Sequence, residues 1–195
     1  MAKQAERRAA TRAAILAAAR HLMGQQGFAA TSMDEVAAQA GLAKGAVYHH
    51  FPSKAALFEA VFEAVSADLA QEVAAAARNA PDVLAAMVAA IRFYFTACAE
   101  GERARVILQD GPAVLGWGRW REIDEAYFGG GIPRGLAAAM EQGLVARQPV
   151  EPLARLLLGA VTEGAMACAG RSDLPQAAAG YAEAAASLVE SLRRR

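Results

Sequence analysis

Apolar positions along this chain of 195 residues recur at three- and four-residue intervals almost throughout, the spacing that lines up one face of an α-helix. Ile15, Leu16, Ala19, Leu22 and Met23 form such a face and predict a first helix over residues 5–26. Gly27 ends it, and Phe28 can fold back onto its last turn. Ser32 with Glu35 three residues on is a capping box, and Asp34 adds negative charge where a helix N-terminus favours it. The second helix so opened reaches only Ala40, because Gly41 breaks it. After the turn Gly41-Leu42-Ala43, a very short third helix runs from Lys44 to Phe51, stopped by Pro52 and Ser53. Two short helices joined by a tight glycine-containing turn make a helix-turn-helix. Val36, Ala37, Ala40, Leu42, Val47 and Phe51 close a small core with the first helix, leaving Lys44, Gly45, Ala46, Tyr48, His49 and His50 to face outward.

Ser53 caps a much longer fourth helix, whose apolar face Leu57, Phe58, Val61, Phe62, Val65, Leu69 and Val73 continues until Asn79-Ala80-Pro81. Its roughly 25 residues extend about 37 Å at the helical rise, enough to join a head to a body. Pro81 opens a fifth helix carrying Leu84, Met87, Val88, Ile91, Phe95 and Cys98. Gly101 and an Asp110-Gly111-Pro112 turn bracket a short sixth. Trp117 to Phe128 forms the seventh, broken by Gly129-Gly130-Gly131 and Pro133, with a continuation from Arg134 to Gln142. Two alanine- and leucine-rich helices, residues 151–169 and 175–193, complete the chain. The expectation is an all-α protein: a three-helix head over residues 1–56, and a helical body over residues 57–195 reached through the long fourth helix.

Composition agrees, since alanine, leucine, arginine and glutamate favour helix and the β-branched runs of strands are scarce. No apolar run approaches the roughly 20 residues that span a bilayer, and the charged N-terminus is unlike a signal peptide, so a cytoplasmic protein without a membrane partner is expected. Cys98 and Cys168 give neither a disulfide framework nor metal-ligand spacing and read as small core hydrophobes. The net charge of zero hides an asymmetry: residues 1–56 carry +4 and the remainder −4, with Lys3, Lys44 and Lys54 all in the first segment. A basic head on an acidic body points to a polyanion met by the head alone. The chain has no Gly-x-Ser-x-Gly elbow, no phosphate loop and no histidine–carboxylate zinc spacing, so neither an enzyme nor a cofactor is expected. Nor is metal: His49 and His50 are helix neighbours pointing about 100° apart, and His21 lies on another helix.

The stretch ILAAARHLMGQQGFAATSMDEVAAQAGLAKGAVYHHFPSKAALFEAV resembles the DNA-binding segment of the tetracycline-repressor (TetR) family of bacterial transcription regulators. Gly-Phe after helix one, Thr-Ser before helix two, VAAQAGLAKGAVYHHF and SKAALF keep that family's order and spacing. The resemblance implies that the third helix enters the major groove of double-stranded operator DNA. Gly45 and Ala46 then let the backbone approach closely, Lys44 donates to a phosphate or to guanine, and Ala43 or Ala46 touches a thymine methyl. Tyr48 and His49 suit phosphate contacts, as do Thr31 and Ser32 at the start of helix two, and Lys54 adds charge near the start of helix four. His50 either faces DNA or packs against the head. The Arg7, Arg8 and Arg12 cluster is either a solvated helix end or a DNA-contacting arm.

In the body, Trp117, Trp120, Asp124 and Tyr127 share one helical stripe, which either packs the core or lines an effector pocket of the kind the resemblance implies. Phe93, Tyr94 and Phe95 are the expected partners, though consecutive residues cannot all face inward. Arg92, Arg119 or Arg121 would hold an acidic effector, unless they are simply solvated. Leu153, Leu156, Leu157, Val161 and Gly164 on the penultimate helix, with Tyr181, Ala185, Leu188 and Leu192 on the last, either pack within one chain or form the four-helix interface of a homodimer. The functional expectation is a ligand-responsive regulator: a repressor released from a palindromic operator by a small apolar or aromatic effector. The alternative is a constitutive DNA-binding dimer with no small-molecule effector.

Overall fold

The computed structural model of the chain describes residues 2–194, so Met1 and Arg195, the outermost residues of the two predicted domains, lie outside it. Helix α1 spans Ala2–Ala30, starting three residues before the apolar pattern does, but its backbone leaves the helical region at Gly27 (φ 86°, ψ 165°) as the glycine predicts. Helix α2 (Met33–Gln39) opens on the expected capping box: Ser32 Oγ accepts from the Glu35 amide at 3.1 Å, and Glu35 Oε2 accepts from the Ser32 amide at 2.7 Å. Helix α3 covers Lys44–His50 and α4 covers Lys54–Ala76, the latter capped by Ser53 Oγ accepting from the Ala56 amide at 3.0 Å. The N-cap of α5 (Val83–Cys98) is Asp82 rather than Pro81, which only precedes it.

The largest departure follows. A single turn of helix, α6 (Gly101–Arg103), passes into a π-helical segment, Ala104–Asp110, and on into α7 (Gly111–Phe128). The predicted turn at Asp110-Gly111-Pro112 is absent. Gly111 is helical, and Pro112 falls in the first turn of α7, where its fixed φ is welcome. The break comes instead at Gly116 (φ 74°, ψ 156°), immediately before Trp117. Helix α8 (Gly131–Glu141) starts three residues before the expected Arg134 and takes Pro133 into its first turn, while α9 (Val150–Cys168) falls where expected and α10 (Leu174–Glu190) ends three residues short of the predicted 193. No single helix among the described residues is long and apolar enough to cross a membrane.

Contacts group the chain into two units: everything up to Val65 together with Gly101–Trp117, and Ser66–Glu100 together with Gly118–Arg195. The head is therefore larger than residues 1–56. Its core joins Ile15, Ala19 and Met23 of α1, Val36, Val47, Phe51, Leu57 and Phe58, and it includes Val106 and Ile107 from the π-helical segment, all 4% exposed or less. Phe28 meets Phe58 edge-to-face at 5.3 Å, the fold-back that the sequence anticipates. Two polar ties fasten the π-helical region onto α1. Arg20 pairs with Glu102 at 2.6 Å, and Asp110 Oδ2 accepts from the Phe28 amide at 2.8 Å.

In the second unit α5 packs against α10, α8 and α9. Leu84, Phe95, Trp120, Leu136 and Val189 are buried there, and so are Cys98 and Cys168. Gly164 is closely packed: a Cβ on it would stand 3.0 Å from the tip of the Phe95 ring, which itself stacks on Tyr181, so the ring would have to give way. Arg193 reaches back to the α5 cap, 2.8 Å from Asp82, and this hydrogen bond pulls the Asp82 carboxyl down to about 2.

Candidate nucleic-acid interface and buried cavity

Helix α3 buries one residue, Val47, on the head core. Ala43, Lys44, Gly45, Tyr48 and His49 are exposed, Ala46 and His50 half-buried, so the polar face is turned away from the core as the spacing predicts. A Cβ on Gly45 would meet nothing within 4 Å. Glycine is disfavoured in a helix by up to about 1 kcal/mol relative to alanine, and no close packing at Gly45, in the first turn of α3, calls for it. Lys44 forms a 2.8 Å ion pair with Asp34 of α2 that raises its pKa, but both side chains are mostly exposed, and such pairs contribute little. His50 lies near Arg8 and Arg12; burial first, then the charges of His49 and both arginines, push its imidazole down from the usual range. Arg12 also stacks over the Phe51 ring at 5.1 Å. Ser32 is exposed, with its hydroxyl engaged in the capping box.

Two of the expected phosphate contacts are redirected inward. Thr31 is 2% exposed, and its hydroxyl donates to the Gly27 carbonyl at 2.8 Å, so it closes the turn after α1 instead of meeting solvent. Lys54 donates to the carbonyls of Phe28, Ala29 and Thr31 at 2.9, 3.3 and 2.9 Å, with its ammonium 4.4 Å from the centre of the Phe28 ring. All three donors of the ammonium are thus spent on the frayed end of α1.

The body holds a half-open cavity of about 310 Å³. Its walls come from α4 (Ala70, Val73, Ala74) and Ala77 just after it, α5 (Ala86, Met87, Ala90, Tyr94), α7 (Asp124, Tyr127, Phe128), α8 (Ile132, Arg134) and α9 (Leu158, Val161, Thr162), with other residues of these helices. Of the residues expected to line a pocket, Asp124 and Tyr127 do so. Trp120 is wholly buried one turn earlier and packs in the core, and Trp117, 49% exposed beside the Gly116 break, falls in the other unit. Neither Phe93 nor Phe95 reaches the cavity; Tyr94, between them, does. Two of the three arginines considered for an acidic effector are engaged elsewhere: Arg92 makes a bidentate pair with Glu183 at 2.7 and 2.8 Å, and Arg119 pairs with Glu122, whereas the charge of Arg121 acts on Asp124. What sequence reading missed was alanine. Where α4 and α5 face the space with Ala70, Ala74, Ala86 and Ala90, no side chain is long enough to fill it.

Asp124 is 6% exposed, and burial is the main cause that raises its carboxyl from an ordinary 3.8 to about 6. Arg121 and a hydrogen bond with Thr162 oppose that rise, and Glu125 adds to it. Tyr94 is pushed well above its ordinary value by burial, with Cys98 and Asp124 beside it.

The residues assigned to a dimer interface divide by exposure. Leu156, Leu188 and Tyr181 are 73, 50 and 39% exposed, whereas Leu157 and Ala185 are 8 and 7% exposed and belong to the interior of the unit. Gly164 is filled against Phe95 and Tyr181, Val161 lines the cavity, and Leu153 and Leu192 are half-buried.

A helix-turn-helix carried on a separate helical body is the build of a DNA-binding transcription regulator. Residues 15–61 match the model of bacterial regulatory proteins of the tetR family, and residues 84–192 match that of the tetracyclin repressor-like C-terminal domain. A TetR-family transcriptional regulator from Pectobacterium atrosepticum, known from its crystal structure, is 32% identical with a TM-score of 0.88 over 97% of each chain. The chain belongs to the TetR family of bacterial transcriptional regulators. The HTH-type regulator AcrR of Shigella flexneri is 45% identical over 53 residues, 27% of this chain and only 25% of AcrR. RolR in complex with resorcinol shares the fold at 18% identity, with a TM-score of 0.71 over 98% of this chain and 96% of its own.

Two predictions follow from these environments. Lys54→Met removes hydrogen bonds from a charged donor and should lower the stability of the head by about 2 kcal/mol, read from urea denaturation. A variant as stable as wild type would return Lys54 to a role in DNA contact. For Asp124, the folded state holds the proton more tightly than the unfolded chain does. The group therefore favours folding most below pH 4, and that advantage is lost as the pH rises through about 6. Asp124→Asn should gain about 1.5 kcal/mol more over wild type at pH 8 than at pH 5. Equal gains at the two pH values would show that this carboxyl is not shifted.

Proposed function

We propose that the protein is a homodimeric repressor whose two heads grip a palindromic operator and which a small, mostly apolar, ring-bearing effector releases. The observation that carries the DNA-contact reading is Gly45, a glycine in the first turn of α3 with open space where its side chain would be. Its cost in helix stability has no return inside the chain, and close approach of the α3 backbone to a major groove supplies one. Lys44, Tyr48, His49 and Ser32 are exposed as well, and in this reading Ala43 and Ala46 supply apolar contact to bases. The effector reading rests on the cavity: apolar walls with a few polar groups are the usual character of small-molecule sites. The dimer reading rests on family membership and on the exposed leucines of α9 and α10, which leave apolar surface for a second copy.

A selection from random duplexes should enrich a palindrome whose half-sites lie about one helical turn, roughly 34–36 Å, apart. Gly45→Ala should stabilise the head by about 0.5–1 kcal/mol while weakening binding to the selected duplex at least about tenfold, or 1.4 kcal/mol. A variant that binds as well as wild type would remove the close-approach argument, and selection that enriches no sequence would remove the repressor. Compounds that shift thermal stability should also release the duplex, and Ala90→Leu, which fills the cavity, should abolish both effects without loss of DNA binding. A constitutive dimer would show neither effect in wild type.

Assembly has its own test. Leu156→Glu and Leu188→Glu place charges at solvent-facing positions of a single chain, so neither should unfold it, yet each would confront an apolar symmetry mate in the dimer. Sedimentation should show a dimer for wild type and mostly monomer for the double variant. Wild type that sediments as a monomer at micromolar concentration would exclude the homodimer.

A further inference from the structure

The polar groups of the cavity are unevenly distributed. Alanines, Val73, Met87, Ile132, Leu158 and Val161 form a smooth apolar wall, and against it stands one deeply buried acid, Asp124, with the Thr162 hydroxyl hydrogen-bonded to it. A carboxylate has about four acceptor positions, and Thr162 fills one. We infer that the ligand of this cavity is an apolar ring compound carrying a hydroxyl that donates to the Asp124 carboxylate, and that ligands bearing a carboxylate of their own are turned away. The inference rests on the effector reading above and narrows it to a chemical class.

Three arguments support it. The first is size: an engineered cavity of about 150 Å³ accepts benzene, so one of about 310 Å³ has room for roughly a dozen non-hydrogen atoms, one substituted ring or two small ones. The second is charge. The charged and titratable groups around Asp124 and its cavity are Tyr94 on α5, Arg121, Glu125 and Tyr127 on α7, and Arg134 of α8 in the cavity wall, with the Thr162 hydroxyl of α9 on the carboxyl itself. A ligand carboxylate would meet Asp124 as a like charge in a poorly solvated space, which is costly. A ligand cation would compete with Arg121 and Arg134 for a single buried acid. A hydroxyl brings no net charge and needs only an acceptor. The third is cost. Burying this carboxyl raises its pKa and destabilises the empty protein near neutral pH, a penalty that a donated hydrogen bond to the ionised form partly offsets.

The test uses three probes of nearly one shape, 4-propylphenol, its methyl ether 4-propylanisole and 4-propylbenzoate, titrated calorimetrically into the full chain at pH 7.5. On burial alone the ether should bind more tightly, since it hides an additional methyl group. The expected result is the opposite: the phenol binds at least tenfold more tightly than the ether, and the benzoate does not bind measurably. Asp124→Val should reverse the order of phenol and ether, whereas Asp124→Asn, which keeps a carbonyl acceptor, should retain a reduced preference for the phenol. If the ether matches or exceeds the phenol in wild type, if the benzoate binds as tightly as the phenol, or if the preference survives Asp124→Val, the inference is overturned while the cavity remains a ligand site. If no probe binds wild type or either variant, the effector reading falls with it. The wild-type ranking decides the matter even if Asp124→Val fails to fold.

Discussion

The end of α1 is where the head is held together. A helix that stops leaves carbonyls without partners, and here it stops at a left-handed glycine with Phe28 turned onto Phe58. The chain satisfies the exposed groups with charged side chains from distant positions. Lys54 donates to three carbonyls, Asp110 accepts from the Phe28 amide, and the Thr31 hydroxyl closes the turn on Gly27. Each charge-assisted bond is stronger than a neutral one, and together they fix the direction in which the chain enters α2. The helix-turn-helix is aimed from this point. The same requirement draws Gly101–Trp117 into the head, since Asp110 is carried on a segment more than seventy residues beyond Phe28.

The body is governed by an opposite rule. Instead of satisfying everything, it leaves space unfilled and one acid at a cost. Facing alanines on α4 and α5 keep those helices intact, because alanine has the highest helix propensity, while forfeiting the packing that larger side chains would contribute. Asp124, buried on the rim of that space, adds a desolvation penalty. A sequence selected for stability alone would fill the first and neutralise the second. Stability surrendered at one place, next to a cavity of ligand size, is the ground on which the proposed effector site rests.

How much of this was legible in the sequence depended on whether the signal was local. The capping box at Ser32 and Glu35, the Gly27 stop, the Ser53 cap and the outward face of α3 all depend on neighbours within a few residues, and all are found in the structure. Lys54 and Thr31 were legible as polar residues near a helix start but not as caps, since their partners are carbonyls more than twenty residues away for Lys54 and belong to a turn whose direction no periodicity encodes. The Trp117–Tyr127 stripe was real as a helical face, but α7 presents only its last turns to the cavity, so Trp120 became core while Asp124 and Tyr127 lined the space. Asp110-Gly111-Pro112 has turn composition yet stays helical, because Asp110 is held by the Phe28 amide and Pro112 sits where a helix tolerates it. Voids are the hardest feature to read, because they are written in what the side chains lack.

The path of the chain bears on how the proposed effector would act. The backbone leaves the head within α4 between Val65 and Ser66, returns at Gly101 and leaves again after Trp117. Cavity-lining residues stand close in sequence to each crossing: Ala70 and Val73 after the first, Tyr94 before the second, Asp124 after the third. The first crossing lies inside an uninterrupted helix, which has no soft dihedral at that point; the third follows Gly116, whose φ of 74° marks the one break in α7. Each covalent connection to the head therefore has a cavity-lining residue within about two helical turns along the chain. That proximity is not yet coupling. A ligand shifts an equilibrium only by the difference between its affinities for the two states, and operator DNA must weaken ligand binding by the same factor with which ligand weakens operator binding. In this chain that difference has to arise at the few polar contacts of the cavity, because its alanine walls offer nearly the same apolar surface to a ligand in any arrangement that keeps the helices apart.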